Sequence, residues 1–113
     1  MADWKKSLEK ELQMAADARV RGNEGQTRVC ARRAAGVIIR EYFMRRGISS
    51  PASSAFDLLK AVLDASDLPV DARRAAEYLT LRVNEEFQLP VAVDLVEEAR
   101  TLCQSLLPGE LIS

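Results

Sequence analysis

The sequence predicts an all-α fold, an up-and-down antiparallel bundle of four principal helices and one shorter helix, forming a single domain over residues 1–113. Apolar residues recur every three or four positions along most of the chain, which is the period of an amphipathic helix. Short clusters of glycine, proline and serine separate these segments, and short connections favour antiparallel neighbours. A length of 113 residues is typical of one compact domain.

The first two helices are predicted on either side of a glycine turn. The first runs from about Asp3 to Val20 and ends at Gly22. Its apolar residues have helical spacing: Trp4, Leu8, Leu12, Ala15 and Ala16. Asn23, with Gln26 three positions later, has the pattern of a capping box and is expected to start the next helix.

The second helix is predicted from Glu24 to Arg46, before Gly47, and carries six arginines. Ile48 to Ser54 is a loop by composition, and Ser54 with Asp57 offers another capping pattern. The short helix follows, with apolar residues Phe56, Leu59, Val62 and Leu63.

Two further helices are predicted in the second half. Asp67 to Pro69 interrupts the apolar pattern, and Asp71 opens a helix. Its apolar face is predicted to comprise Ala72, Ala75, Ala76, Leu79, Val83 and Phe87. After Pro90 the last helix has one apolar stripe of Leu95, Val96, Ala99, Leu102, Cys103, Leu106 and Leu107, and Pro108 ends it.

Composition excludes several classes of function. The chain has no histidine, which removes histidine-dependent triads, histidine metal ligands and the commonest general base near neutral pH. Cys30 and Cys103 lie among apolar residues, so buried free thiols are favoured over a disulfide or a reactive thiol. We therefore expect no metal site and no cofactor. No segment has the length of a membrane span or the apolar core of a signal peptide, so a cytoplasmic protein is expected.

Charge is divided along the chain, although the net charge is only −1. Residues 1–56 hold eleven Lys or Arg against six Asp or Glu, whereas residues 57–113 hold five against eleven. These charges either face each other within the bundle or form a basic surface for an anionic partner and an acidic surface elsewhere.

The second helix has two apolar sides. At about 100° per residue, one broad side collects Cys30, Ala31, Ala34, Ala35, Val37, Ile38 and Tyr42 and is assigned to the core. Apolar residues Val29, Gly36, Ile39 and Phe43 lie on the other side, interleaved with Arg28, Arg32, Arg33 and Arg40. Three arrangements account for this second side: cover by the chain's own helices, a subunit interface, or a nucleotide or RNA surface. The candidate contact residues are Arg28, Arg32, Arg33, Ile39, Arg40 and Phe43.

Two segments, GNEGQTRVCARRAAGVIIREYF from residue 22 and AAEYLTLRVNEEFQLPVAVDLVEEARTL from residue 75, resemble proteins of the HEPN group, the higher eukaryotes and prokaryotes nucleotide-binding domain. The similarity covers roughly residues 10–107. It implies a helical bundle that commonly dimerises and a relation to RNA-cleaving toxins or their inactive, partner-binding relatives. It also suggests a nucleotidyltransferase-type protein as a partner.

Active HEPN proteins carry an arginine, four to six intervening residues and a histidine near the start of a late helix. The corresponding segment here begins at Arg73 and Arg74 and has Tyr78 in place of histidine. A tyrosine with an ordinary pKa of about 10 is poorly suited to acid–base catalysis near neutral pH. The resulting prediction is a non-catalytic HEPN-like interaction module that forms a homodimer. The alternatives are a metal-independent ribonuclease using Arg73, Arg74 and Tyr78, and a purely structural bundle that self-associates.

Overall fold

A computed structural model of the protein describes residues 3–48, 54–82 and 92–109. These residues form five helices and, within those ranges, no strand, which confirms the predicted all-α bundle. The helices are α1 (Asp3–Val20), α2 (Glu24–Arg45), α3 (Ala55–Leu63), α4 (Val70–Leu79) and α5 (Leu95–Leu106). Two are long and three are short, rather than four principal helices and one shorter one. No helix in these ranges is long and apolar enough to cross a membrane.

Helix α2 is the centre of the bundle, because it packs against α1, α3, α4 and α5. Helix α4 also packs against α3 and α5. A helix with neighbours on several sides must be apolar around most of its circumference, which explains the composition of α2. The predicted core side is buried at Cys30, Ala31, Ala34, Ala35, Ile38 and Tyr42, and Val37 is partly exposed. Both cysteines are buried free thiols, as predicted.

The predicted helix starts are confirmed by their caps. The Gln26 backbone N–H donates to Asn23 Oδ1 at 3.1 Å, and the Asp57 backbone N–H donates to Ser54 Oγ at 3.0 Å. The reciprocal half of the first capping box is absent, since the Asn23 N–H donates to the Ala18 carbonyl oxygen at 2.8 Å. Gly22 has a φ of 75°, a left-handed conformation that suits glycine, and turns the chain from α1 into α2.

Helix α4 ends at Leu79, whereas the apolar pattern predicted that it would continue to Phe87. The Leu79 carbonyl oxygen accepts a hydrogen bond from Arg32 Nε at 2.9 Å, and the Leu81 carbonyl oxygen accepts one from Arg32 Nη2. Carbonyls at a helix end lack helical N–H partners, and here a side chain of α2 supplies the donors. Leu81 and Arg82 are not helical, and Val83 and Phe87 lie outside the described residues.

Helix α3 covers part of the second side of α2. Gly36 is buried, and a Cβ atom placed on it would lie 3.1 Å from Ala55 Cβ and 3.2 Å from Ala55 Cα. Glycine at this position therefore allows the start of α3 to approach the α2 backbone closely. Phe43, two helical turns further along the same side, is only 6% exposed. Cover by the chain's own helices thus accounts for this part of α2.

Candidate functional site

Two of the predicted contact residues are core residues. Ile39 is fully buried and Phe43 nearly so, both within the main apolar cluster of the bundle. A side chain with no exposed surface cannot contact a second molecule unless the fold opens. The expectation that Ile39 and Phe43 form a contact surface is therefore corrected: they stabilise the fold. Val29, on the same side of α2, is 42% exposed.

Arg32 connects α2 to the end of α4 through its two hydrogen bonds to backbone carbonyls. Burial lowers the pKa of this guanidinium, and the nearby positive charges of Arg28 and Arg82 lower it further. Arg82 lies over the Phe56 ring, with its guanidinium carbon 4.3 Å from the ring centroid. Three guanidinium groups thus lie near one another, and Arg32 already donates from Nε and Nη2 to protein carbonyls.

Arg73 has a similar structural role at the end of α3. Its Nη1 donates to the Leu63 carbonyl oxygen at 2.9 Å, and its Nη2 donates to the Ala65 carbonyl oxygen at 2.8 Å. Arg74 is exposed and lies 3.5 Å from an Asp71 carboxylate oxygen, a contact at the limit of a hydrogen bond. Tyr78 is partly buried and packs against the core. The segment that resembles the HEPN catalytic motif therefore contributes one helix-capping arginine, one surface arginine and one packing residue.

Two adjacent cavities lie beside α2. The larger has a volume of about 220 Å³ and is lined by Trp4, Ser7, Val37, Arg40, Glu41 and Met44. The second has a volume of about 180 Å³. Val37 and Arg40 line it too, together with Glu11, Arg33, Gly36, Ala55 and Leu58. Because they share two residues, the cavities form one depression, here called the α1–α2–α3 groove after the helices that line it.

The end of the groove at the start of α1 is apolar with a cationic border. Trp4 is partly buried and Met44 is 67% exposed, so apolar side-chain surface faces solvent here. Lys5 Nζ lies 5.8 Å from the Trp4 ring centroid, and the Arg45 guanidinium carbon lies 5.5 Å from it. Arg45 Nε also donates to the buried Glu41 carboxylate at 2.8 Å, which fixes that guanidinium beside the ring.

The other end of the groove holds a mixed pair of charges. Arg33 Nη2 lies 3.3 Å from Glu11 Oε2, joining α2 to α1. The Arg33 side chain is 50% exposed and the Glu11 side chain only 14% exposed. The second carboxylate oxygen, Glu11 Oε1, is buried and accepts no hydrogen bond. A buried acceptor without a donor costs free energy.

A third set of charges lies away from the groove and joins α1, α2 and α5. Arg19 Nε donates to Glu24 Oε1, and Arg19 Nη1 donates to Asp94 Oδ2, both at 3.1 Å. Hydrogen bonds to Glu24 and Asp94 raise the pKa of Arg19. Burial alone would raise the pKa of Asp94, but its hydrogen bonds and its proximity to Arg19 outweigh this and hold that pKa below its usual value. This cluster has the geometry of a structural brace.

Some of the predicted arginines therefore have structural roles, and others line the groove. Arg33 and Arg40 line the groove, Arg32 holds the end of α4, and Arg28 is partly exposed near Arg32. Sequence reasoning missed the groove residues Trp4, Ser7, Glu11, Glu41, Met44, Ala55 and Leu58, and it placed Val37 in the core. The available signal was Met44, an apolar residue among arginines in the last turn of α2.

Comparison with other proteins gives no family for this chain. No family model matches it, and no curated protein or solved structure matches it either. Within the described ranges there is also no group of three or more histidine, cysteine or acidic residues that could hold a metal ion. The interpretation of the site consequently rests on its own geometry.

Proposed function

We propose that this protein is a non-catalytic, HEPN-like interaction module that binds a protein partner through the α1–α2–α3 groove. One observation carries the proposal: Trp4, Val37 and Met44 present apolar surface in a depression bordered by arginines. Aromatic residues, methionine and arginine are the residues enriched at protein interfaces. A concave surface with an apolar lining is also a common position for a binding site.

A protein partner is favoured over RNA by the local chemistry of the arginines. RNA contacts use guanidinium groups as phosphate donors and exposed aromatic rings as stacking platforms. Arg32 and Arg73 already donate to backbone carbonyls, and Trp4 is partly buried between cationic side chains. The resemblance suggests two protein partners, a second copy of this chain and a nucleotidyltransferase-type protein, and the groove suits either. The purely structural alternative leaves the exposed apolar end of the groove unexplained.

The ribonuclease alternative has less support. Both Nη atoms of Arg73 are occupied by the Leu63 and Ala65 carbonyls, so phosphate binding there would require breaking contacts that hold the end of α3. We expect the purified chain to leave a labelled single-stranded RNA intact under metal-free conditions. Cleavage that is abolished in an Arg73→Ala, Arg74→Ala double variant would replace the proposed function with this alternative.

The proposed function is tested by selecting binders from a display library of random peptides on the immobilised full chain. We expect enriched peptides to lose binding to a Met44→Glu variant, which puts a charge into the apolar end of the groove. Val70→Glu is the matched control, because Val70 is 71% exposed on α4 and outside the groove. Sedimentation velocity of the same variants tests a second copy as the partner. Enriched peptides that bind Met44→Glu as well as the wild type would overturn the proposal, and so would a chain that stays monomeric and enriches no peptide.

A further inference from the structure

Three arginines that do not line the groove come together where α2, α3 and the end of α4 meet, and are here called the arginine cluster: Arg28, Arg32 and Arg82. Arg28 and Arg32 are four positions apart on α2, so their side chains leave the same side of that helix one turn apart. Arg82 directly follows Leu81, whose carbonyl oxygen accepts a hydrogen bond from Arg32. The Arg82 guanidinium lies over the Phe56 ring of α3. The fold therefore gathers three positive charges from distant parts of the chain.

No carboxylate of the described residues neutralises the arginine cluster, since none of its three guanidinium groups forms an ion pair there. Other arginines in the same ranges do contact a carboxylate: Arg19, Arg33, Arg45, Arg46, Arg74 and Arg100. Like charges four positions apart on a helix repel each other. Beyond the effect of burial, the charges of Arg28 and Arg82 lower the pKa of Arg32. A bound anion would reduce this repulsion.

Several N–H donors of the arginine cluster are unused within the described residues. Arg28 is partly exposed and Arg82 is exposed, and neither side chain donates a hydrogen bond there. The N–H groups of a guanidinium lie in its plane, so stacking on Phe56 leaves those of Arg82 available at the edge. Arg32 donates from Nε and Nη2 to the end of α4 and retains Nη1. The cluster can thus donate to a ligand without losing the contacts that hold α4.

We propose that the arginine cluster binds a phosphate group with two negative charges, either free phosphate or a phosphate monoester. The donors of Arg28 and Arg82 bind its oxygen atoms, and Arg32 contributes its charge and Nη1. Guanidinium groups pair with phosphate through parallel hydrogen bonds, and a tetrahedral dianion has enough oxygen atoms for more than one guanidinium. A carboxylate has one charge and two oxygen atoms, which match three cations less well. The site is separate from the groove, so it does not depend on the proposed function.

The test is a titration of the full chain with sodium phosphate and, separately, with glycerol phosphate at neutral pH and constant ionic strength. Two-dimensional NMR follows the backbone amide signals of Arg28, Arg32 and Arg82. We expect these signals to shift in a saturable way at millimolar concentrations of phosphate. Saturation by glycerol phosphate as well identifies a monoester as the ligand, whereas saturation by free phosphate alone identifies the free ion. Acetate at the same ionic strength should leave the signals nearly unchanged.

Single substitutions locate the binding site. Arg28→Gln and Arg82→Gln each remove one guanidinium group and leave both hydrogen bonds of Arg32 in place, so the variants should fold. Each should weaken phosphate binding by at least about tenfold, because hydrogen bonds from a charged donor are lost. Arg21→Gln is the matched control and should bind phosphate like the wild type, because Arg21 is exposed just beyond the end of α1.

Three results would overturn the phosphate site. The first is the absence of a saturable shift with either phosphate compound, and the second is an equal shift with acetate. The third is phosphate binding by Arg28→Gln and Arg82→Gln that equals binding by the wild type. If a single-stranded RNA shifted these signals and neither phosphate compound did, the cluster would be a nucleic-acid contact instead. Peptide selection on the groove is unaffected by any of these results, so the proposed function is decided separately.

Discussion

Arg32 and Arg33 are neighbours in the sequence and have different roles in the structure. Arg32 is partly buried and donates to the carbonyl oxygens of Leu79 and Leu81 at the end of α4. Arg33 is half exposed, contacts the Glu11 carboxylate and lines an open cavity. The two side chains point about 100° apart on α2, and different helices face them.

This difference shows that an arginine's role depends on the acceptors that its neighbours present. The side of α2 that carries Arg32 faces backbone carbonyls without helical partners, and a guanidinium there completes a helix end. The side that carries Arg33 and Arg40 faces a depression between α1 and α3. The first side stabilises the fold, and the second is where we propose that a partner binds.

The largest expected effect tests whether Ile39 belongs to the core. Ile39→Ala should lower the free energy of unfolding by about 3 kcal/mol, because it removes buried methyl groups and leaves a cavity. Val29→Ala, at an exposed position on the same helix, should lower it by less than about 1 kcal/mol. Urea unfolding followed by circular dichroism measures both values. Equal small effects would mean that the Ile39 side is not packed as described.

Arg32→Ala should have the next largest effect, about 2 kcal/mol of unfolding free energy, since hydrogen bonds from a charged donor to two carbonyls are lost. Arg32→Lys should recover little of it, because an ammonium group cannot reproduce the planar fork of donors. Arg33→Ala should cost less than about 1 kcal/mol, as expected for a partly exposed ion pair. If Arg33→Ala proved the more destabilising of the two, the contrast between these sides of α2 would be reversed.

A smaller effect is expected at the brace around Arg19, which lies outside the groove. The folded-state pKa of Asp94 is below its usual value, so its ionised form stabilises the fold above about pH 4 and that contribution is lost as the pH falls further. Asp94→Asn should therefore lower stability at neutral pH by less than about 1 kcal/mol, because Arg19 and Asp94 are both substantially exposed. The difference in unfolding free energy between the wild type and Asp94→Asn should become smaller at acidic pH.

At Glu98 we expect a substitution to change stability in the opposite direction to Asp94→Asn. Burial raises the pKa of Glu98, so its ionised form is disfavoured in the folded state, and the penalty is relieved as the pH falls. Glu98→Gln should leave the protein slightly more stable than wild type at neutral pH. Chemical denaturation at a series of pH values measures both variants. We compare how the unfolding free energies of Asp94→Asn and Glu98→Gln differ from that of the wild type at each pH. If the two differences changed in the same way with pH, the assigned pKa directions would be wrong.

The smallest expected effect on stability is at Met44, although its effect on binding should be large. Met44→Ser should change the free energy of unfolding by less than about 0.5 kcal/mol, because the side chain is mostly exposed. The same variant should weaken binding of the peptides selected on the wild-type chain. A large loss of stability would show that Met44 serves packing rather than binding, and the groove would lose its apolar anchor.

Much of the fold was predictable because helix starts and turns are local. Asn23 and Ser54 cap their helices through backbone N–H groups three positions away, and Gly22 takes a left-handed conformation at the predicted turn. The end of α4 was not predictable, because Leu79 continues an apolar pattern that suits a longer helix. Its end coincides with donors from Arg32, 47 positions earlier in the chain. Patterns of neighbouring residues cannot predict a contact between such distant positions.

The candidate site was only partly predictable. Arg33 and Arg40 were identified by their position among apolar residues, but so were Ile39 and Phe43, which are buried. A helical wheel shows which residues share a side, and it does not show how many sides other helices cover. Trp4 and Glu11 were missed because they belong to α1, whose own pattern is that of an ordinary amphipathic helix.

The sequence by itself determined the all-α class, the starts of α1, α2 and α3, the buried alanine and Ile38 side of α2 and the absence of histidine chemistry. These properties depend on spacing, on caps within a few residues and on composition. Only the tertiary structure decided that Ile39 and Phe43 are core residues, that Arg32 and Arg73 hold helix ends, and that Trp4, Arg40 and Met44 border one groove. Those properties depend on which helices meet, since contacts between distant segments decide which side chains are buried, which donors are occupied and where a cavity remains.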